Sequence, residues 1–244
     1  MRAVAMRLHT PQQAPKEGQK KPDRVPEQTP PQRWDPTLAS YASFLRQSLI
    51  VYDTLENAVS SAPDGSPLAS LRGCGLERAP GLRRDLAWLA AEHGIDSTAV
   101  DDADDEEAPG PAYARLLQTL LDENTPSGEA AFVCHWYNTY FAHTAGGLMI
   151  GRKLADSLLD GKTLEFYKWY EGGNDVGSDA GASAVEIDHK PLLEETRRRI
   201  NALAEGWGEE DKKRCLDETE QSFRFSGAIL REVAKPPKGA AAGA

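Results

Sequence analysis

A stretch of about 30 residues near the middle of the chain constrains the fold more than any other part of the sequence. It runs from about residue 129 to residue 159, and its apolar residues recur at the spacing of an amphipathic helix. Its centre reads "AHTAGGLMIG" and holds two adjacent glycines, Gly146 and Gly147. Each glycine inside a helix costs roughly 1 kcal/mol relative to alanine. The stretch therefore predicts a long helix with an unusually bare surface at its centre.

Helical patterns recur along the rest of the chain, and no segment alternates as a half-buried β-strand does. After Asp35-Pro36-Thr37, a helix of about 20 residues carries Leu38, Tyr41, Leu45, Leu49 and Tyr52 on one face. Further helices are predicted at 1–9, 81–94, 112–124, 189–206 and 209–233. The sequence shows no repeats, and it predicts an all-α fold with one core and several long loops.

Irregular segments separate these helices and suggest one domain with mobile parts. Residues 1–9 form an N-terminal helix, and residues 37–233 form the remainder of the same domain. Flexible segments are expected as a Pro-rich arm at 10–36, an acidic loop at about 99–111, an insertion at about 171–187 and a disordered tail at 234–244. The acidic loop contains "DDADDEE", in which like charges repel one another.

The charge balance argues against two classes of partner. The net charge of −10 and the pI of about 5.1 disfavour general attraction to nucleic acid or to anionic membranes. No run approaches the roughly 20 apolar residues of a membrane span.

The N-terminus shows neither a signal-peptide nor a transit-peptide pattern, so an organelle protein would be present here in its mature form. Three cysteines without CxxC spacing favour a reducing compartment over disulfides or zinc.

One face of the predicted N-terminal helix carries a histidine. Arg2, Ala5 and Met6 share that face with His9. An imidazole among apolar groups, with a cation two turns away, suits an axial haem ligand and a partner for a haem propionate. A histidine without any ligand on an amphipathic helix has the same pattern and is the more common case. The pattern alone leaves both interpretations open.

The centre of the long helix carries two adjacent stripes of small residues. One stripe consists of His143, Gly147 and Gly151, and the other of Ala142, Gly146 and Ile150. A helix surface without side chains can lie against a flat ligand, and glycine allows the helix to bend. Close packing against another helix through small residues is the more common explanation of such stripes. His143 fits either a polar group beside a ligand or a satisfied core histidine.

Basic residues follow the glycines, although the protein as a whole is acidic. Arg152 and Lys153 come directly after them, Lys162 and Lys168 lie beyond, and 197–199 is a run of three arginines. Such a local cluster can bind an acidic partner, and a solvated helix face gives the same pattern. The aromatic runs "CHWYNTYF" and "EFYKWY" are predicted to be core. No Ser-His-Asp order, P-loop, GxGxxG, HExxH or EF-hand motif is present.

The order of the segments is more specific than any one of them. The chain contains, in order, "MRAVAMRLHT", "SFLRQSLIVYDTLE", "GLERAPGLRRDLAWL", "FVCHWYNTYFAHTAGGLMIGRKLADSLLDGKTLEFYKW" and "CLDETEQSFRFSGAILRE". This series resembles a plant-type haem oxygenase over most of residues 1–232. "AHTAGG" stands where the animal and bacterial branches of the family have an Asp-containing Gly-rich motif, which favours the plant and algal plastid branch.

The resemblance implies a haem held between a proximal and a distal helix. His9 looks like the proximal iron ligand, a histidine that one plant paralogue subgroup lacks. His143, Gly146 and Gly147 belong to the distal kink and are assigned catalytic roles with His9; His143 replaces an aspartate that orders water in animal enzymes. Leu148 departs from the arginine usual in land plants. The haem-contacting residues are expected to be Arg2, Ala5, Met6, His9, Tyr137, Ala142, Gly146, Gly147, Ile150, Gly151, Arg197 and Phe223, with Arg2, Tyr137 and Arg197 on the propionates.

The resemblance also implies an activity and its partners. Haem b is substrate and cofactor, and O2 with electrons from reduced ferredoxin cleaves it at the α-meso carbon to biliverdin IXα, CO and ferrous iron. The acidic ferredoxin is expected to bind Arg152, Lys153 and Arg199. The resemblance further implies that the protein is a monomer in the chloroplast stroma and that a downstream bilin reductase is a partner. The alternatives are a haem-binding paralogue without turnover and an interaction protein in tetrapyrrole signalling.

Overall fold

The protein is all-α in the residues that a computed structural model defines, which are 35–95, 107–173 and 185–234. Those residues hold no β-strand and a single antiparallel bridge between Tyr170 and Glu186. The helices are α1 Leu38–Ser61, α2 Ala79–His93, α3 Pro109–Asp122, α4 Pro126–Ala142, α5 Leu148–Leu158, α6 Lys190–Glu205 and α7 Glu209–Arg231. Short 3₁₀ turns lie at Leu68–Leu71, Glu165–Tyr167 and Glu232–Ala234. The predicted all-α class is confirmed, whereas the predicted helix at 1–9 lies outside the described residues.

Helix α4 forms the centre of the core. It packs most extensively against α7 and also against α3, and the ring of its Tyr140 contacts that of Tyr52 on α1. Trp136 and Tyr140 of α4 are almost fully buried, as predicted for the aromatic run "CHWYNTYF", whereas Tyr137 and Phe141 of the same run are half-buried. None of the helices within the described ranges is both long enough and apolar enough to span a bilayer. Because α4 is enclosed in this way, the segment that follows it has a rigid support.

The starts of α1 and α4 follow from their capping residues. The Thr37 side chain accepts a hydrogen bond from the Ser40 N–H, and the Ser40 hydroxyl accepts one from the Thr37 N–H. Thr125 caps α4 by accepting from the Gly128 N–H, and Pro126 follows at the first helical position. The central helix therefore begins about three residues earlier than the sequence pattern predicts.

The start of α2 is capped by a residue from another helix. No side chain at Arg78 itself caps α2. Instead, Oε1 of Glu56 on α1 accepts hydrogen bonds from the N–H groups of Arg78 at 2.6 Å and Ala79 at 3.1 Å, and from the Tyr140 hydroxyl at 3.0 Å. Burial raises the pKa of Glu56 to about 7, although these donors lower it. One carboxylate thus ties α1, α2 and α4 together.

Replacing Glu56 by alanine is expected to destabilise the protein by about 2 kcal/mol, because two helix N–H groups and a tyrosine hydroxyl lose their acceptor. Glu56→Gln should cost less than about 1 kcal/mol, because the amide oxygen can accept the same bonds. Urea unfolding followed by circular dichroism measures both variants. Equal losses for the two would show that the acceptor oxygen is not what matters.

The insertion predicted at 171–187 covers fewer residues than the sequence suggested. Its two ends pair through backbone bonds, from the Ile187 N–H to the Trp169 carbonyl at 2.8 Å and from the Glu171 N–H to the Val185 carbonyl at 2.9 Å. The acidic loop predicted to reach residue 111 also ends earlier, because α3 already begins at Pro109. Proline at a first helical position lacks only an N–H that would have no partner there.

Candidate functional site

The bare centre of the long helix is a π-helical turn. The five residues His143–Gly147 join α4 to α5, and the Leu148 N–H bonds to the His143 carbonyl five residues earlier. Gly147 has helical dihedral angles, with φ −57° and ψ −44°. The glycine is therefore not required by an unusual backbone conformation; what it contributes is the absence of a side chain. Single π turns inside α-helices occur frequently at functional sites.

Two glycines of the predicted stripe have different surroundings. A Cβ atom at Gly147 would lie 3.1 Å from Nδ1 of His143. A Cβ atom at Gly151 would lie only 2.6 Å from Cε1 and Cζ of Tyr167. Gly151 is buried, and close packing, which the sequence had left open, accounts for it. At Gly147, the absence of a side chain instead avoids a tight contact with Nδ1 of His143.

Gly151→Ala is expected to destabilise the protein by about 1–3 kcal/mol, because the added methyl group overlaps the Tyr167 ring in a packed core. Gly206→Ala is the matched control, since its Cβ would meet its nearest neighbour at an ordinary 3.6 Å. Urea unfolding midpoints compare the two variants with the unsubstituted chain. A Gly151→Ala protein as stable as the control would show that α5 and the Tyr167 segment move apart freely.

His143 is a buried residue whose ring orientation is set by a backbone group. Its Nε2 lies 2.9 Å from the carbonyl oxygen of Phe166. A carbonyl can only accept, so Nε2 carries the hydrogen and donates it, and Nδ1 is left as an acceptor. Burial lowers the pKa of His143 to about 3, and the nearby positive charge of Arg78 lowers it further. The imidazole is therefore neutral at physiological pH.

Aromatic rings enclose this imidazole. The ring centroids of Phe166 and Tyr167 lie 4.2 and 5.4 Å from that of His143, and the ring of Trp169 lies 5.7 Å away. Tyr52 of α1 contacts it edge-on at 6.2 Å. The satisfied core histidine was one of the two interpretations that the sequence allowed. The packing supports that interpretation for the ring and for Nε2, while Nδ1 lies on the Gly147 side.

Two charged residues that the sequence analysis did not single out hold the Phe166 segment. Asp85 of α2 accepts from the N–H groups of Glu165 and Phe166, both at 2.7 Å. Burial raises the pKa of Asp85 to about 7, against the effect of these two donors. Arg78 donates to the Lys168 carbonyl and lies 4.4 Å from the centre of the Trp169 ring. Asp85 had one available signal, because it interrupts the apolar stripe formed by Leu82, Leu86 and Leu89.

A polar and aromatic cluster lies one to two turns before the π turn. The rings of Tyr137 and Phe141 stack with their centroids 4.1 Å apart, and the Arg197 guanidinium lies 4.9 Å from the centre of the Phe141 ring. Tyr137 and Arg197, predicted from the resemblance as propionate contacts, are thus brought together although they belong to α4 and α6. Along a helix, Phe141 and Gly147 are about 9 Å apart.

The other predicted site residues fall into four groups. Ala142, Gly146, Ile150 and Phe223 are half-buried, while Arg152 and Lys153 are exposed on α5. Arg199 is held in place, because it pairs with Glu195 and donates to the Arg72 carbonyl at 2.9 Å. The positions outside the described residues are Arg2, Ala5, Met6 and His9.

The arrangement fits a flat ligand that carries carboxylates. The π turn offers a surface without a side chain at Gly147, and Tyr137 and Arg197 offer a hydroxyl and a cation at one end of it. An arginine and a tyrosine are suitable partners for carboxylates such as haem propionates. The chemistry of the donors therefore agrees with haem as the bound group.

Comparison with known proteins gives a family. The sequence model described as heme oxygenase matches residues 19–232. The chain is similar to Heme oxygenase 3, chloroplastic, of Arabidopsis thaliana, with 45% identity over 236 residues that cover 96% of this chain and 71% of that protein. It is also similar to Heme oxygenase 1, chloroplastic, of Oryza sativa subsp. japonica, with 42% identity over 96% of this chain and 69% of that protein.

More distant relatives provide a useful contrast. The chain is 31% identical over 200 residues to the Probable inactive heme oxygenase 2, chloroplastic, of Arabidopsis thaliana, which covers 82% of this chain and 58% of that protein. The similarity is thus greater to the relatives whose names carry no such qualifier. With the family match extending over most of its residues, the chain belongs to the haem oxygenase family.

Proposed function

We propose that the protein is an active plastid haem oxygenase that takes electrons from reduced ferredoxin and forms biliverdin IXα, CO and ferrous iron. One observation carries the proposal. The π turn His143–Gly147 lacks a side chain at Gly147, and just before it Tyr137 and Arg197 both contact the ring of Phe141. The greater similarity to Heme oxygenase 1 and 3 than to the inactive relatives supports turnover over binding alone. The chloroplastic relatives support the chloroplast stroma as its location.

Each part of the site has a task in this reaction. Bound haem supplies the iron at which O2 reacts and the meso carbon that is oxidised. His9 would hold the iron from the proximal side. Arg2, Tyr137 and Arg197 would bind the propionates and so fix the rotation of the ring, which selects one meso carbon of four. Gly146 and Gly147 would let the backbone, rather than side chains, border the oxygen, and neutral His143 would accept a hydrogen bond.

The test adds hemin to the purified full chain and then adds ferredoxin, its reductase and NADPH in air. An active oxygenase shows a Soret band that decays while biliverdin absorbance grows. A Soret band that persists would contradict turnover and indicate a haem-binding paralogue. Absence of any Soret band would overturn both haem functions and favour an interaction protein. The biliverdin formed is the substrate that a downstream bilin reductase would need.

The proposed ferredoxin surface consists of Arg152 and Lys153 on α5, beside Met149, which is 54% exposed. Exposed cations beside an exposed apolar side chain suit a transient acidic partner. Arg199 takes part less readily, because Glu195 and the Arg72 carbonyl already hold its guanidinium.

Arg152→Glu is expected to raise the KM for ferredoxin up to roughly fivefold at low salt, because one rim ion pair contributes up to about 1 kcal/mol. Haem binding, measured by Soret titration, should not change. Lys213→Glu is the control, since Lys213 is an exposed lysine on α7 that pairs with Asp217. If turnover falls no faster with added salt than haem binding does, ferredoxin does not bind through this charged surface.

A further inference from the structure

We infer that Asp85 is a positioning residue for His143: it holds the Phe166 carbonyl against Nε2 of the imidazole, so that Nδ1 faces the π turn as a hydrogen-bond acceptor. This inference rests on the proposed function, because the acceptor nitrogen has a catalytic role only if the π turn borders haem. The contacts run from Asp85 on α2 through the Phe166 segment to the π turn.

The first contact fixes a short irregular segment. The two oxygens of Asp85 accept separately from the N–H groups of Glu165 and Phe166, at 2.7 Å each. Asp85 is 2% exposed and Phe166 is 2% exposed, so water does not compete for these bonds. The carboxylate thereby sets the position of the 3₁₀ turn Glu165–Tyr167 against α2.

The second contact transfers this position to the imidazole. The Phe166 carbonyl lies 2.9 Å from Nε2 of His143 and accepts its hydrogen. A partner that can only accept selects the tautomer, as it does for histidines whose second nitrogen acts on a ligand. Arg78 donates a longer hydrogen bond to the same carbonyl at 3.4 Å. It does not compete with the imidazole, because one carbonyl oxygen has two lone pairs and can accept from both.

The third step concerns the free nitrogen. Within the described part of the chain, no hydrogen bond is made by Nδ1 of His143, and this nitrogen lies on the side of the ring that faces Gly147. Any side chain at Gly147 would begin 3.1 Å from Nδ1 and cover it. Gly147 and Asp85 therefore act together: one orients the acceptor, and the other leaves it uncovered. An imidazole in this form can accept a hydrogen bond from water but cannot donate one from Nδ1.

The test reads the tautomer directly, in the full-length chain without haem. Long-range ¹H–¹⁵N correlation spectra of the histidine rings distinguish a protonated nitrogen from a bare one, and His143→Phe identifies the signals of His143. We expect a single form with protonated Nε2 and bare Nδ1 in the unsubstituted chain. A protonated Nδ1 there would overturn the inference whatever the variants do.

Asp85→Asn tests the cause, because the amide keeps the size but places an NH2 group against a backbone N–H. We expect the ring nitrogens of His143 to move toward averaged values of the two tautomers. Asp53→Asn is the control, since Asp53 pairs with Arg83 on the surface near α2. A His143 tautomer that is the same in all three proteins would overturn the role of Asp85.

The haem-loaded protein separates this inference from the proposed function. Asp85→Asn is expected to lower turnover roughly tenfold, as loss of an orienting partner does, while the Soret titration stays unchanged. If the unsubstituted chain failed to form biliverdin, the proposed function would be wrong. The role of Asp85 in setting the tautomer would still be decided by the spectra of the chain without haem. Unchanged turnover in an active enzyme with a changed tautomer would overturn the link to catalysis.

Discussion

Replacing His9 by alanine is expected to reduce biliverdin formation by roughly 100-fold or more. Even the loss of a group that merely orients a metal ligand costs 10- to 100-fold, and His9 is the residue that we propose as the ligand itself. Without an axial imidazole, the iron would lose the donor that holds haem from the proximal side and tunes its reactivity. The measurement is the rate of biliverdin formation with ferredoxin, its reductase and NADPH at saturating hemin.

Added imidazole should restore part of the activity of His9→Ala, because a free ligand can enter the space that the side chain leaves. His93→Ala is the matched control, since His93 is an exposed histidine at the end of α2 whose ring contacts that of Trp88. A His9→Ala protein that turned over haem at the unsubstituted rate without imidazole would assign the proximal ligand to another residue.

Replacing His143 by alanine is expected to cost about 3 kcal/mol of folding free energy. The change opens a cavity among Tyr52, Phe166, Tyr167 and Trp169, and it leaves the Phe166 carbonyl without its main donor. His143→Phe keeps most of the packing and should cost about 1–2 kcal/mol for the carbonyl alone. Urea unfolding of the three proteins at neutral pH tests this order. Equal stability of the alanine variant and the unsubstituted chain would mean that the ring is not packed in the core.

The pH dependence of stability should identify the same residue. The pKa of His143 is about 3 in the fold and 6.5 unperturbed, so below pH 6.5 the unfolded chain takes up a proton that the folded chain does not. Its contribution is present above pH 6.5 and is lost as the pH falls toward 3. Relative to His143→Phe, the unsubstituted chain should lose roughly 2 kcal/mol between about pH 6.5 and pH 5.

The comparison with His143→Phe removes the contributions of the neighbouring carboxyl groups. The pKa values of Asp85 and Glu56 are raised to about 7, so these groups favour the folded state as the pH falls below 7, opposite to His143. Both proteins contain them, and the difference between the two unfolding free energies isolates the histidine. A difference that stayed constant with pH would show that His143 is protonated as readily in the fold as outside it.

Local signals made parts of the fold predictable. Gly94 ends α2 with φ at 62°, a conformation that glycine adopts without strain, and the sequence placed the end of that helix correctly. The buried face of α1 with Tyr41, Leu45 and Tyr52 follows from helical spacing alone. These features depend on residues within a few positions of one another, so one sequence is sufficient to find them.

The candidate site depends on contacts that leave no such signal. The partner of His143 is a backbone carbonyl 23 residues away, and any residue type at 166 would provide one. Asp85 acts on N–H groups 80 residues away in the chain. The π turn holds one extra residue, which a period of 3.6 over five residues cannot reveal. Spacing could therefore indicate the bare surface at Gly146-Gly147 but not how His143 is oriented beside it.

The paired ends of the insertion have a practical consequence. Because backbone bonds join Trp169 to Ile187 and Glu171 to Val185, the positions of the Phe166 segment and of α6 do not depend on how many residues connect them beyond that point. Doubling the length of a flexible loop costs only about 0.6 kcal/mol. Residues 174–184 are therefore a suitable place to graft a fluorescent domain or an affinity tag, because the Phe166 segment and α6 keep their positions.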